Sequence, residues 1–139
     1  MIQVPRRAPS LAAALAASSL LLGCGISEPS NNVVDPFTGT VALGGFAYQE
    51  FTVGKDGGEV NIKLTSITPD SGATLGMLYG QIGVGAANNC NPIVQTLATQ
   101  GRTAISNRIA KGTFCLVMYD PGGNLMTRAQ TYTAEVSHP

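Results

Sequence analysis

Few side chains in this 139-residue chain can move a proton or attack a substrate. The one histidine, His138, is next to the last residue. A general base is poorly held there, so a solvated tail histidine is expected. No Gly-x-Ser-x-Gly elbow occurs to present a nucleophile. Carboxylates are spread out: Asp56 and Glu59 flank one turn, Asp70 and Asp120 fall in others, and Glu50 and Glu135 take wet strand positions. Glycoside hydrolysis needs two carboxyl groups about 5–9 Å apart in a cleft. Aspartates at turns instead bond their own backbone. The pattern predicts no enzyme and implies no cofactor.

Weaker chemistry remains to be placed. Asp120 and Asn124 share the loop Asp-Pro-Gly-Gly-Asn and are the candidate calcium ligands, although the dense Asp-x-Asp-x-Asp spacing of a dedicated loop is missing. Gly80-Gln-Ile-Gly83-Val-Gly85 is loosely glycine-rich, but no clear helix follows it to form a phosphate cradle. Glycan binding favours exposed aromatic platforms. There is no Trp, which leaves Tyr48, Tyr79 and Tyr119 as the tyrosines to consider.

The N-terminus carries an address. Arg6 and Arg7 precede an uncharged run from Leu11 to Leu22. As a helix that run is about 18 Å long, too short for a ~30 Å hydrocarbon core, so it reads as a signal-peptide core. The Phe-Leu that would follow a twin-arginine pair is absent. Leu21-Leu22-Gly23-Cys24 resembles the lipobox of bacterial lipoproteins, with Leu22 bulkier than usual at its position. The resemblance implies a thioether from Cys24 to diacylglycerol and cleavage before it, leaving residues 24–139 anchored to a membrane. Gly25, rather than Asp, after that cysteine resembles outer-membrane sorting.

That assignment sorts the other thiols. With Cys24 on lipid, Cys90 and Cys115 are left as a pair, and an exported chain is expected to oxidise them to a disulfide. Two reduced buried thiols are the alternative. A two-cysteine metal site would need histidine partners, and only His138 exists. Loss of Arg6 and Arg7 leaves six Lys/Arg against eight Asp/Glu, a net charge of −2. No basic excess remains for nucleic acid. The partners to expect are the membrane, through the anchor, and an envelope protein or glycan.

The elements that must position these groups read as short strands. Residues 24–37 have linker composition, rich in Pro, Ser and Asn. Beyond them, apolar alternation dominates. Thr38–Leu43 opens the domain. Tyr48–Val53 and Glu59–Thr65, joined by Gly-Lys-Asp-Gly-Gly, predict a hairpin. Leu75–Val84 and Gly112–Tyr119 are apolar enough to be central, Thr103–Ile109 suits an edge, and Thr131–Val136 closes the domain. Asn88–Pro92 reads as a loop carrying Cys90, and Ile93–Thr99 stays open between helix and strand. Six to eight such strands predict an all-β, antiparallel β-sandwich over residues 38–139.

Phe51-Thr-Val, Val60-Asn-Ile-Lys-Leu, Gly112-Thr-Phe-Cys-Leu-Val and Tyr132-Thr-Ala-Glu-Val together resemble bacterial pre-peptidase C-terminal-like domains. That resemblance implies a small, non-catalytic β-sandwich. The expectation is therefore a non-enzymatic, membrane-tethered lipoprotein, a structural or interaction module of the envelope. A glycan-binding sandwich is the alternative.

Overall fold

In a computed structural model, residues 31–83 and 89–139 are described. The signal segment, Cys24 and most of the expected linker lie outside them. Eight strands follow in order: β1 (Val33–Val41), β2 (Phe46–Val53), β3 (Glu59–Thr68), β4 (Leu75–Ile82), β5 (Cys90–Ala98), β6 (Thr103–Arg108), β7 (Gly112–Tyr119) and β8 (Gln130–His138). They form two antiparallel four-stranded sheets, ordered β1-β8-β3-β6 and β2-β7-β4-β5. This is the antiparallel β-sandwich that the alternation predicts.

Side-chain parity builds the core. Val60, Ile62 and Leu64 of β3 face inward, opposite Tyr132, Ala134 and Val136 of β8, all fully buried. The register shifts between Leu64 and Ser66, a bulge at Thr65 that turns Ile67 inward as well. The hydroxyl of Thr65 then donates to the Thr133 carbonyl at 3.0 Å. From the second sheet come Phe51, Val53, Met77, Tyr79, Phe114, Leu116 and Met118. Phe51 is the hub of an aromatic cluster, with Phe37, Tyr79 and Phe114 at centroid distances of 5.8–6.3 Å.

Three placements hold: β4 and β7 are interior strands of the second sheet, and β6 lies at an edge. Ile93–Thr99 resolves as part of strand β5.

Four expectations need correction. Tyr48–Val53 and Glu59–Thr65 do not form a hairpin, because β2 and β3 lie in different sheets. The glycines do make the turn, with φ of +75° at Gly57 and +150° at Gly58. However, the turn bonds across to the β6–β7 connection, with Ile109 N–H donating to Gly58 O at 3.1 Å and Lys111 N–H to Asp56 Oδ1 at 2.9 Å. A turn signal fixes a reversal of direction, not which strand becomes the neighbour.

The domain also opens earlier than Thr38. β1 begins at Val33 and pairs with β8 through Val41, so residues 33–37 are strand rather than linker. Cys90 begins strand β5 instead of sitting in a loop. Finally, His138 is not a solvated tail residue: it ends β8 and is 3 % exposed.

Candidate interaction face

The two sheets differ on their outer faces. On the first, β1 and β8 present Thr38, Thr40, Thr131 and Thr133, with the Thr40 and Thr131 hydroxyls 3.1 Å apart, and Lys63 of β3 lies beside Glu135. That is an ordinary wet face, and threonine suits it. The second sheet carries one charged residue in all four strands, Glu50. Its outward row Phe46–Tyr119–Gly76–Leu97 runs straight across β2, β7, β4 and β5. The next outward row is Tyr48–Val117–Leu78–Gln95. Phe46 is 71 % exposed and Leu97 53 %. A sheet apolar on both faces is one whose outer face suits a covering partner.

Two glycines of β4 shape this face. A Cβ on Gly76 would lie 2.2 Å from Tyr119 Cζ, so the tyrosine ring lies directly over the glycine backbone. Its hydroxyl accepts a hydrogen bond from Gln95 Nε2 at 2.6 Å, which holds the ring in place. On the same face, the Tyr48 hydroxyl donates to Glu50 Oε1 at 2.6 Å. Burial, then that hydrogen bond, pushes the Tyr48 hydroxyl up to about 12.

Gly80 serves the second purpose. Cys90 and Cys115 are bonded, with a Cα–Cα separation of 5.8 Å. Their strands β5 and β7 flank β4, and two strand spacings amount to roughly 10 Å. The start of β5 must therefore fold over β4. It does so above Gly80, where a Cβ would lie 2.2 Å from the Asn91 carbonyl oxygen and 2.8 Å from Cys90 Sγ. A register shift between Tyr79 and Gly80 accommodates the crossing. The disulfide closes one margin of the apolar face.

The remaining candidates take other roles. Both oxygens of Asp120 are occupied by backbone donors, Oδ2 by Gly44 N–H at 2.8 Å and Oδ1 by Gly122 N–H at 2.9 Å. Those amides, Gly44 first, hold its carboxyl below the ordinary carboxylate value. Asp120 thus ties the β1–β2 turn to the β7–β8 loop, while Asn124 takes a left-handed φ of +64° in that loop. Among the described residues no group of three or more His, Cys, Asp or Glu side chains is placed to hold a metal ion. Asp70 caps its own turn, accepting from Gly72 N–H at 3.0 Å. Tyr79 is a core residue, 1 % exposed, not a surface platform. His138 Nε2 lies 3.1 Å from Asp35 Oδ2, and its ring stacks on Phe51 with centroids 5.4 Å apart.

Sequence reasoning missed Phe46, Leu97, Gly76 and Gln95 as one constellation. The available signal was Gly76 and Gly80 within a single strand, where glycine marks a close approach by another group.

No family model matches the chain, and no curated protein matches it either. Among solved structures, the chain is similar to a periplasmic lysozyme inhibitor of g-type lysozyme from Aeromonas hydrophila. The two share 9 % identity with a TM-score of 0.50, over 78 % of this chain and 88 % of that one. The likeness is one of fold.

Proposed function

We propose that this chain is an exported, non-enzymatic envelope lipoprotein, held to the outer membrane at Cys24, whose sandwich acts as an interaction module. The observation that carries the interaction reading is the outer face of the second sheet, apolar and aromatic with Glu50 as its one charge. Export is supported by the signal-like N-terminus and by the disulfide between Cys90 and Cys115. A periplasmic lysozyme inhibitor has a similar fold, so this kind of sandwich serves an exported, inhibitory role in that protein. The segments that resemble pre-peptidase C-terminal-like domains fall on β2, β3, β7 and β8, and the domain is read as a sandwich of that kind.

The β1 strand starts at Val33, nine residues after Cys24, so the intervening chain reaches at most about 30 Å. Val33 lies at the opposite end of the strands from Phe46, because β1 and β2 run antiparallel through the short turn after Val41. The aromatic row therefore stands away from the point of attachment.

Growth with labelled palmitate and membrane fractionation test the anchor. The wild type is expected to carry label in the membrane fraction, and Cys24→Ala to lose both. An unlabelled wild type overturns the lipoprotein reading and leaves the interaction reading to its own test. The alternative to a protein partner is a glycan, favoured by the fixed Tyr48 and Tyr119 side chains.

A further inference from the structure

We propose that the outer face of the second sheet binds a neutral saccharide chain, laid across the strands on Tyr119 between Phe46 and Leu97. The proposal rests on the reading of the domain as a binding module and is independent of the lipid anchor.

Three observations select this occupant. The first is preorganisation. The Tyr119 ring covers the Gly76 backbone and is held through its hydroxyl by Gln95, while Tyr48 is held by Glu50. Rings already fixed lose little entropy on binding. The C–H face of a pyranose stacks on such rings, and its hydroxyls at the rim need hydrogen-bonding partners. Gln95 and Glu50 supply carbonyl and carboxylate oxygens beside the rings.

The second is size. The row Phe46–Tyr119–Gly76–Leu97 spans three strand spacings, about 14 Å, and the neighbouring row lies about 7 Å away along the strands. With the width of the strands included, the patch is on the order of 300 Å², below the roughly 800 Å² per partner of a stable protein interface. A second copy or a folded protein would lack contact area, whereas a few sugar rings fill it.

The third is charge. The four strands contain no Lys or Arg, so a polyanionic glycan finds no counter-charge. Glu50 also disfavours insertion into a bilayer, because its carboxylate, although bonded to the Tyr48 hydroxyl, would be buried without a counter-charge.

Tyrosine fluorescence reads the site directly, since the chain has no Trp and Tyr79 and Tyr132 are 1 % and 0 % exposed. The full chain, purified from whichever cell fraction holds it, is titrated with chitotetraose and cellotetraose, with polygalacturonate as the anionic control. At least one neutral tetramer is expected to give a saturable change, and polygalacturonate none. Tyr119→Ala should weaken binding about tenfold or more, a loss near 1.4 kcal/mol. Thr133→Ala on the other sheet should bind as the wild type does. Gly76→Ala should weaken binding by displacing the ring, and Tyr119→Phe, which keeps the ring without its tie to Gln95, should fall between. An unchanged melting temperature for Tyr119→Phe separates loss of site from loss of fold.

No saturable response to either neutral tetramer overturns the proposal, as does equal binding by Tyr119→Ala or tighter binding to polygalacturonate. A photo-crosslinking residue at position 46, used in intact cells, keeps the two readings apart. A discrete protein adduct with no saccharide response overturns the glycan and leaves a protein-binding module. Neither adduct nor response overturns both.

Discussion

His138 Nε2 lies 3.1 Å from Asp35 Oδ2, joining the last strand to the first at the end of the sandwich nearest the expected tether. The imidazole is 3 % exposed and stacks on Phe51, while its Nδ1 lies 3.2 Å from the Pro139 carbonyl oxygen. The only histidine of the chain is therefore a structural clasp. His138→Ala should cost about 1–3 kcal/mol, because it opens a space beside Phe51 and leaves Asp35 without its partner. Asp35→Asn, which keeps a hydrogen-bonding group in place, should cost less. Urea denaturation midpoints check the order, and a neutral His138→Ala would remove the clasp.

The Cys90–Cys115 bond closes a separation of 25 residues, and in the chain-entropy model such a loop contributes about 3–4 kcal/mol. Reduction, or the double change Cys90→Ala with Cys115→Ala, should lower the denaturation midpoint accordingly. Amide exchange should rise first at the start of β5, the segment pulled over Gly80. Uniform exchange across both sheets would contradict that placement.

Glycines 76 and 80 should respond to alanine in a definite order. At Gly80 the new methyl meets the Asn91 backbone carbonyl and Cys90 Sγ, neither of which can move freely. At Gly76 it meets the Tyr119 ring, a half-exposed side chain that can swing outward. Thermal melts should show Gly80→Ala as the more damaging, at about 1–3 kcal/mol. The reverse order would mean that the crossing is not as tight as described.

Alkaline pH should unfold the domain through its tyrosines. Burial pushes Tyr79 up to about 12, and burial with the Glu50 hydrogen bond does the same to Tyr48. For an acid whose folded value lies above the unfolded value of 10.0, the stabilisation is complete below about pH 10 and is lost as pH rises through 12. Phenolate absorbance should show late-ionising tyrosines whose titration coincides with loss of structure. Full ionisation by pH 11 with the fold intact would refute this.

Acid should act on a different tie. Asp120 is held below its ordinary 3.8 by the Gly44 and Gly122 amides, so its contribution is present above that value and is lost as pH falls through the lowered one. The Gly44 and Gly122 amide resonances should titrate together in this acid range. Asp120→Asn should remove the titration while leaving the sheets in place.

Much of the sandwich was legible because alternation is a local property. Val60, Ile62 and Leu64 showed their inward face in the sequence, as did Tyr132, Ala134 and Val136, since side chains in a strand alternate whatever it pairs with. Pairing was not legible. The Asp-Gly-Gly turn after β2 reads the same whether it joins neighbours in one sheet or crosses between two. The site was hidden for a related reason. Phe46, Tyr119, Gly76 and Leu97 come from four strands, and their row exists only once register is set.

By itself, the sequence determined the fold class and the inward residues of β2, β3 and β8, which follow from local pattern, while the pairing of Cys90 with Cys115 was legible only on the expectation that Cys24 carries lipid. The tertiary structure alone decided that β2 pairs with β7, that β5 crosses over Gly80, that Tyr119 lies over Gly76 and that His138 is buried against Phe51. Each of those depends on non-local contacts, whose energy comes from burying surfaces that only the assembled sheets bring together.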